Sequence, residues 1–408
     1  MPSSDEVLLP FEEARERVLR LVSPLPGEWV PLEQAVGRAI AEDVFAARTL
    51  PPWENSAMDG FAVQAADASE VPRRLRVVET IFAGQMPQKA IAPGECSRIM
   101  TGAPLPAGAD AVVMQEKTRS LPQSGEVEIL DRPTPGTNVR ARGEDAREGE
   151  RLLAKGTALG VPEAALLWAQ GMTHVSVPRK PIVALFSTGD ELCRPDEPPN
   201  GRIVDSNSLA LALAVERAGG IPRRLGIARD TLEEVSGKLA RAQGADVVLI
   251  SAGASVGERD FARQALQQIG VRIDFWRVAM RPGKPLAVGT LGSSTYFALP
   301  GNPTSTLVSF ELFVRPAIRK LLGHPDASPV RVPGRAAETL RKKPGLTHFV
   351  RVVAVWKDGA LWAHPLSSQT SGVIRSASLA THLLVFPSDR TELPSGEAVE
   401  LLPLSWVG

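Results

Sequence analysis

Several short loops pair glycine with acidic, basic or hydroxyl side chains, a composition that suits an anionic ligand held close to the backbone. STGDEL carries Thr188, Gly189 and Glu191, IARD carries Asp230, ISAGASVGERD carries Ser255 and Asp260, and LPGNPTS carries Asn302 and Ser305. Asn302 suits a helix N-cap and Pro303 the first helical position, so the free N–H groups of that turn favour phosphate or another oxyanion. Glu191, Asp230 and Asp260 would repel a polyanion unless a divalent cation bridged them to it. Mg²⁺ is the economical choice, because it takes a few carboxylates together with waters and phosphate oxygens. Arg281 and Lys284 in MRPGKP add the fixed positive charge that grips an oxyanion. A second acidic pair, Asp59 in ENSAMDGFAV and Asp145 in RARGEDAREG, adjoins glycines that permit tight turns.

Read singly, each residue has a structural role. An Asp beside Gly forms turns, a carboxylate caps a helix, and a lone Arg or Lys is a solvated surface charge. The elements that carry the loops favour the ligand reading. Between about 180 and 322, continuous apolar strands (PIVALFS, RRLGIA, DVVLIS, TYFAL) alternate with amphipathic helices, the pattern of a parallel sheet covered on both faces. In such a doubly wound α/β domain ligands bind outside the carboxyl ends of the strands, which is where all four loops fall. The helices are expected in NSLALALAVERAG, TLEEVSGKLARAQ, ERDFARQALQQ and NPTSTLVSFELFVRPAIRKLL, with Asp230 and Glu233 resembling a capping box.

The flanking regions differ. Phe11, Ala14, Val18 and Leu21 form a helical stripe that Pro24 stops, and Pro162 and Glu163 suit the first turn of a second helix. From about 27 to 150 the apolar runs are short and broken by Gly and Pro, which predicts a β-rich region. HFVRVVAVW, ALWAHPL, HLLVFP and EAVELLPL alternate at period two and predict a small β-domain at the end.

Composition excludes several classes. At 408 residues the chain is too long for one hydrophobic core, and 43% hydrophobic with 23% charged residues is an ordinary globular balance. Lys plus Arg (46) equals Asp plus Glu (46), so no overall field favours nucleic acid or an anionic membrane. Cys96 and Cys193 lack metal-type spacing, no window reaches about 18 apolar residues, and the acidic start lacks a secretory pattern. A cytoplasmic protein is expected. Gly253 to Gly257 spell G-x-S-x-G between a strand and a helix, so a serine hydrolase using Ser255 and one of His324, His348, His364 or His382 is an alternative.

Taken in order, PPWENSAMDGFAV, RIMTGAPLPAGADAVVMQE, VRARGEDAREG, ALFSTGDEL, VDSN, SVGERD, RPGKP and ALPGNPTS resemble the successive signature segments of the MoeA/gephyrin family. The resemblance runs from about residue 5 to 400. It implies a multidomain α/β plus β protein with four domains. An elongated helix-containing domain would take 1–26, 46–53 and 149–179, and an inserted β-rich domain 27–45 and 54–148. The α/β molybdopterin-binding domain would take 180–325 and a C-terminal small β-barrel 326–408.

The resemblance further implies a homodimer whose crevice is completed by the partner's β-domain, carrying the Asp59 and Asp145 loops. The implied reaction joins molybdate to adenylylated molybdopterin and releases AMP, with Mg²⁺ required. Glu191, Asp230 and Asp260 match the acidic positions of the family's cleft, and Asp59 and Asp145 those of the other domain. Arg281, Lys284, Ser305, Arg351 and Ser371 match positions implicated in holding molybdate, while Thr188, Gly189, Ser255 and Asn302 fall in the substrate-binding loops. Implied partners are the molybdopterin adenylyltransferase and molybdoenzyme maturation proteins. The gephyrin branch also clusters proteins, so a non-enzymatic scaffold is the second reading. Three positions depart from the family pattern: Ala252 precedes Gly253 where Gly-Gly is usual, Ala380-Thr381 replaces a small residue and Asn, and Arg281 stands where Lys is common.

Overall fold

The computed structural model describes residues 8–252 and 261–407. These fall into two compact units. The first gathers the described residues of Met1–Ala41, Gly156–Leu159 and Val175–Gly408, and the second those of Glu42–Lys155 and Gly160–His174.

The first unit opens with helix α1 (Phe11–Leu21), whose buried face is Phe11, Ala14 and Val18. Its stripe is the expected one, with Leu21 only half-buried. Phe11 packs edge-on against Phe313 and Phe349, with centroids 5.6 and 4.7 Å away. Burying such a ring contributes roughly 1.5–3 kcal/mol.

Six strands build the central sheet: β1 (Ile182–Thr188), β2 (Ile221–Ala228), β3 (Val247–Ser251), β4 (Arg272–Arg277), β5 (Pro285–Leu291) and β6 (Ser294–Leu299). Their order is β2-β1-β3-β6-β5-β4. The four strands read from the sequence are mutually parallel, whereas β5 and β4 extend the sheet antiparallel at one edge. Successive residues of β1 go to opposite faces: Val183 and Leu185 join one buried cluster, Ala184 and Phe186 the other. Period-two alternation is therefore hidden in a continuous apolar run, as two-sided burial requires.

Helix α2 (Asn207–Arg217) covers the first face with Leu211 and Val215, together with α5 (Pro303–Ser309) and its continuation through wider turns to Leu321. Helices α3 (Leu232–Arg241) and α4 (Phe261–Gln268) cover the second face. The cap of α3 lies one residue later than Asp230: Thr231 Oγ1 accepts from the Glu234 N–H at 3.3 Å. Both residue types make good caps, and the backbone turn selects the second. Asn302 occupies the cap position of α5 as expected, but its side chain makes no capping bond and stays exposed.

Five further strands, β7 (Val332–Ala336), β8 (Thr347–Lys357), β9 (Ala360–Pro365), β10 (His382–Phe386) and β11 (Ala398–Pro403), close into a small barrel because β8 pairs with both β9 and β10. Met280 and Arg281 add a short parallel strand to β8, with Arg281 opposite His348. The RPGKP loop thus runs from the barrel edge back into β5.

The second unit is built on a mixed six-stranded sheet in the order Ala111–Met114, Gly60–Val63, Glu95–Ile99, Arg73–Ile81, Glu126–Ile129, Thr118–Leu121. It also contains the helix Val161–Ala169, where Glu163 accepts from the Gly160 N–H at 2.9 Å as the sequence suggests.

Candidate functional site

A cavity of about 640 Å³ opens at the carboxyl ends of β1, β2, β3 and β6. Thr188 ends β1 and Ser251 ends β3, both buried, so the loops leave a rigid sheet edge. Gly189, Glu191, Asp230 and Asn302 line the same space. Of the residues expected at these strand ends, Thr188, Gly189, Glu191, Asp230 and Asn302 are therefore brought together. Ser255 and Asp260 lie outside the described residues.

Local bonding explains how the acidic wall is held. Asp190 N–H donates to Asp230 Oδ2 at 3.4 Å and Asp230 N–H to Asp190 Oδ1 at 3.3 Å, tying the loops after β1 and β2 together. Gly189 has φ +152°, and a Cβ there would lie 2.5 Å from Glu191 Oε2, so only glycine lets that carboxylate fold over the backbone.

Two residues that spacing alone did not single out also shape this cavity. Asp205 is buried and accepts at Oδ1 from Ser187 Oγ at 3.0 Å and from the Ser208 N–H at 3.1 Å. Asn207 Nδ2 donates to Ser251 Oγ at 2.8 Å and to Gly301 O at 2.7 Å, joining the loops after β3 and β6. Both stand in VDSN, a segment visible in the sequence only as one of the ordered motifs.

A second cavity of about 360 Å³ adjoins the first and shares Pro285, Pro300 and Asn302 with it. Arg281, Lys284, Ser305 and Ser371 all line it. Among the described residues neither Arg281 nor Lys284 is paired with a carboxylate, and both are exposed. Unpaired cations beside hydroxyls can hold a tetrahedral oxyanion through charge-assisted bonds. Ser371 is anchored to α5: Thr304 N–H donates to Ser371 O at 3.1 Å and Thr304 Oγ1 to Val373 O at 3.1 Å.

Arg351 is placed differently. It is 1% exposed and lines neither cavity. Its Nη2 donates to Ser368 O at 3.1 Å and Thr370 O at 3.2 Å, so it holds the loop that carries Ser371 from behind. Its Nε and Nη1 have no partner among the described residues, and burial lowers the guanidinium below its usual range. Gln369 was also not singled out; its amide bonds both the N–H and the carbonyl of Arg351, at 3.0 and 2.9 Å.

Asp59 and Asp145 belong to the second unit. Asp59 Oδ1 accepts from the backbone N–H and the hydroxyl of Thr101, both at 2.7 Å, and these bonds hold its carboxyl below the usual range. Asp145 is exposed, with its N–H bonded to Leu50 O at 3.1 Å.

Ala252, at the rim of the larger cavity, adopts φ +76°, and a Cβ on Gly301 would lie 3.1 Å from its methyl. A left-handed alanine costs roughly 1–2 kcal/mol, while glycine costs about 0.5–1 kcal/mol more entropy in the unfolded chain. Ala252→Gly should therefore raise stability by about 0.5–1 kcal/mol in urea unfolding. A loss of stability would show that the position carries no strain.

For the hydrolase reading a base is needed near the strand β3 loop, and no described histidine lines that cavity. His324 and His348 are held down at about 4, chiefly by burial. Among the described residues no helix is long and apolar enough to cross a membrane.

Comparison with known proteins follows the same layout. Residues 9–171 match the MoeA N-terminal region (domains I and II), 184–320 a probable molybdopterin binding domain, and 333–404 the MoeA C-terminal region (domain IV). A molybdopterin molybdenumtransferase of Nostoc sp. is 39% identical over 95% of this chain and 91% of its own length. The corresponding protein of Bacillus subtilis is 35% identical over 97% and 94%. The crystal structure of a molybdopterin biosynthesis MoeA protein from Pyrococcus horikoshii OT3 superposes with TM-score 0.85 at 29% identity, covering 97% of this chain and all of that one. With three regions matched in order and relatives aligned almost end to end, this chain belongs to the MoeA family.

Proposed function

We propose that this chain is a molybdopterin molybdenumtransferase that inserts molybdenum from molybdate into adenylylated molybdopterin and releases AMP, in a Mg²⁺-dependent reaction. The observation that carries the reading is the junction at Asn302 between an acidic cavity at the strands' carboxyl ends and a smaller cavity lined by cations that have no carboxylate partner among the described residues. The curated relatives named for this activity support it.

In this reading Thr188, Gly189, Ser255 and Asn302 hold the pterin nucleotide, while Arg281, Lys284, Ser305 and Ser371 hold the oxyanion next to it. Arg351 positions the Ser371 loop. Orienting two bound reactants side by side replaces a bimolecular encounter, which is where most of the acceleration would come from. No protein nucleophile is required.

The donor chemistry fits Mg²⁺. Glu191 and Asp230 are hard oxygen donors on one cavity, and no cage of three or more His, Cys, Asp or Glu occurs among the described residues. Two carboxylates suit an ion that keeps waters and shares the ligand's phosphate oxygens. Asp260 would complete the set. When bound, Mg²⁺ supplies positive charge against the pyrophosphate.

A homodimer is part of the proposal, with Asp59 and Asp145 of the partner's β-rich domain completing the acidic cavity. Leu209 and Leu213, one turn apart on α2, are both exposed, an apolar stripe that supports pairing. The four-domain division, a cytoplasmic location, supply by the molybdopterin adenylyltransferase and delivery to molybdoenzyme maturation proteins belong to the same proposal. Purified protein given adenylylated molybdopterin, molybdate and Mg²⁺ should release AMP. If no AMP appears under any condition, the enzymatic reading fails.

A further inference from the structure

A third cavity, of about 660 Å³, lies on the barrel beside the oxyanion compartment and shares Arg281, Pro282, Leu346 and Gln369 with it. Its walls are largely apolar, and its charged residues are mostly cations: Arg281, Arg341, Lys342 and Lys343. Lys342 Nζ is fixed by Arg390 O at 2.7 Å and sits 4.8 Å from the centroid of the Phe386 ring, with Asp389 acting on it only at longer range. Lys343 is exposed and forms no ion pair among the described residues. Arg341 is neutralised by Glu392 at 2.8 Å, which leaves Arg281, Lys342 and Lys343 against Glu338, the one carboxylate among the described lining residues. Leu340, Phe349 and Val350 supply apolar walls. Like charges on low-dielectric walls focus the field, and such clefts raise encounter rates for opposite charge by about 10- to 1000-fold.

We propose that this barrel-side cavity is a docking site for tetrahedral dianions, which collects molybdate from solvent and passes it across Arg281 to the compartment of Lys284, Ser305 and Ser371. The proposal rests on the oxyanion role given above to the inner compartment. Sulfate and phosphate share the chemistry and should enter competitively.

His348 is a built-in reporter. It stands opposite Arg281 in the short strand pairing and lines the same cavity as Lys342, whose charge acts on it. Burial holds it at about 4, reinforced by the charges of Lys342 and Arg281. A dianion seated among those cations favours the imidazolium and must move the titration upward.

The test follows the His348 ring signal by NMR in the full chain, without pterin, as sodium sulfate, which stays a tetrahedral dianion across that titration, is added at low salt, with His348→Gln identifying the signal. The midpoint should rise by about one unit or more, and Lys343→Glu should weaken the apparent affinity for sulfate about tenfold. The rise should persist in Lys284→Ala, which removes charge only from the inner compartment. Loss of the rise in Lys284→Ala would assign it to the inner site and overturn the proposal, as would an unmoved His348 or an unchanged affinity in Lys343→Glu. None of these readouts needs turnover, so failure here is separable from failure of the proposed activity.

Discussion

Lys284→Ala should lower kcat/KM for molybdate by about 100-fold, the scale seen when one preorganised donor to a developing or bound oxyanion is removed. The expectation comes from position. Lys284 lines the smaller cavity, is exposed, and among the described residues carries no carboxylate partner that would already have used its charge. The same exposure predicts that unfolding stability changes by less than about 0.5 kcal/mol. Affinity for the pterin nucleotide should stay within about twofold, because Lys284 does not line the larger acidic cavity. Lys284→Arg should recover only part of the loss, since a planar fork replaces a compact ammonium. Equal kcat/KM in Lys284→Ala and the parent protein would remove this residue from the oxyanion compartment.

Gly283→Ala should damage both stability and activity. Gly283 stands between the two cations at φ +97°, and an added Cβ would overlap Met280 Cε and lie 2.7 Å from Ser309 Oγ. Met280 and Ser309 are both fully buried, so the collision cannot be relieved toward solvent. Left-handed strain of roughly 1–2 kcal/mol adds to overpacking of roughly 1–3 kcal/mol, giving a loss of about 2–5 kcal/mol in urea unfolding. A shift of the loop would also displace Arg281 and Lys284 together, and misplacement by about 1 Å can cost 100-fold in rate. A Gly283→Ala protein with parental stability would mean that the loop has room the packing does not show.

Much of this was legible in the chain itself, for identifiable reasons. The strands at 182–188, 247–251 and 294–299 are mainly apolar because both faces are buried, whereas 221–228 lies at the sheet edge and carries Arg223 and Arg224; each is followed by a loop whose glycines or carboxylates mark a strand end. What escaped was whatever depends on contacts distant in sequence. RIDFWR and PLAVGTL sit on either side of RPGKP, and nothing local says that they pair antiparallel at the sheet edge. Arg351 lies in HFVRVVAVW, where alternation cannot tell an inward arginine from an outward one. Only the 368–370 carbonyls behind it make its burial tolerable. The cap of α3 is Thr231 rather than Asp230: both residues are competent, and the Asp230 carboxylate instead accepts from the Asp190 N–H.

Ala252 is the reverse case. The sequence marked it as a departure from a Gly-Gly pair, and the structure finds it in the backbone region where glycine is preferred. The fold tolerates it because Gly301 leaves space against its methyl.

The central claim is that one crevice joins a nucleotide-binding acidic cavity to a cationic oxyanion cavity so that molybdenum is transferred as AMP leaves. The direct measurement counts both products in a single reaction of purified protein with adenylylated molybdopterin, molybdate and Mg²⁺. The account predicts that AMP and pterin-bound molybdenum accumulate in equal amounts and that omitting molybdate or Mg²⁺ suppresses both. AMP release without molybdenum on the pterin, or no release at all, would contradict it.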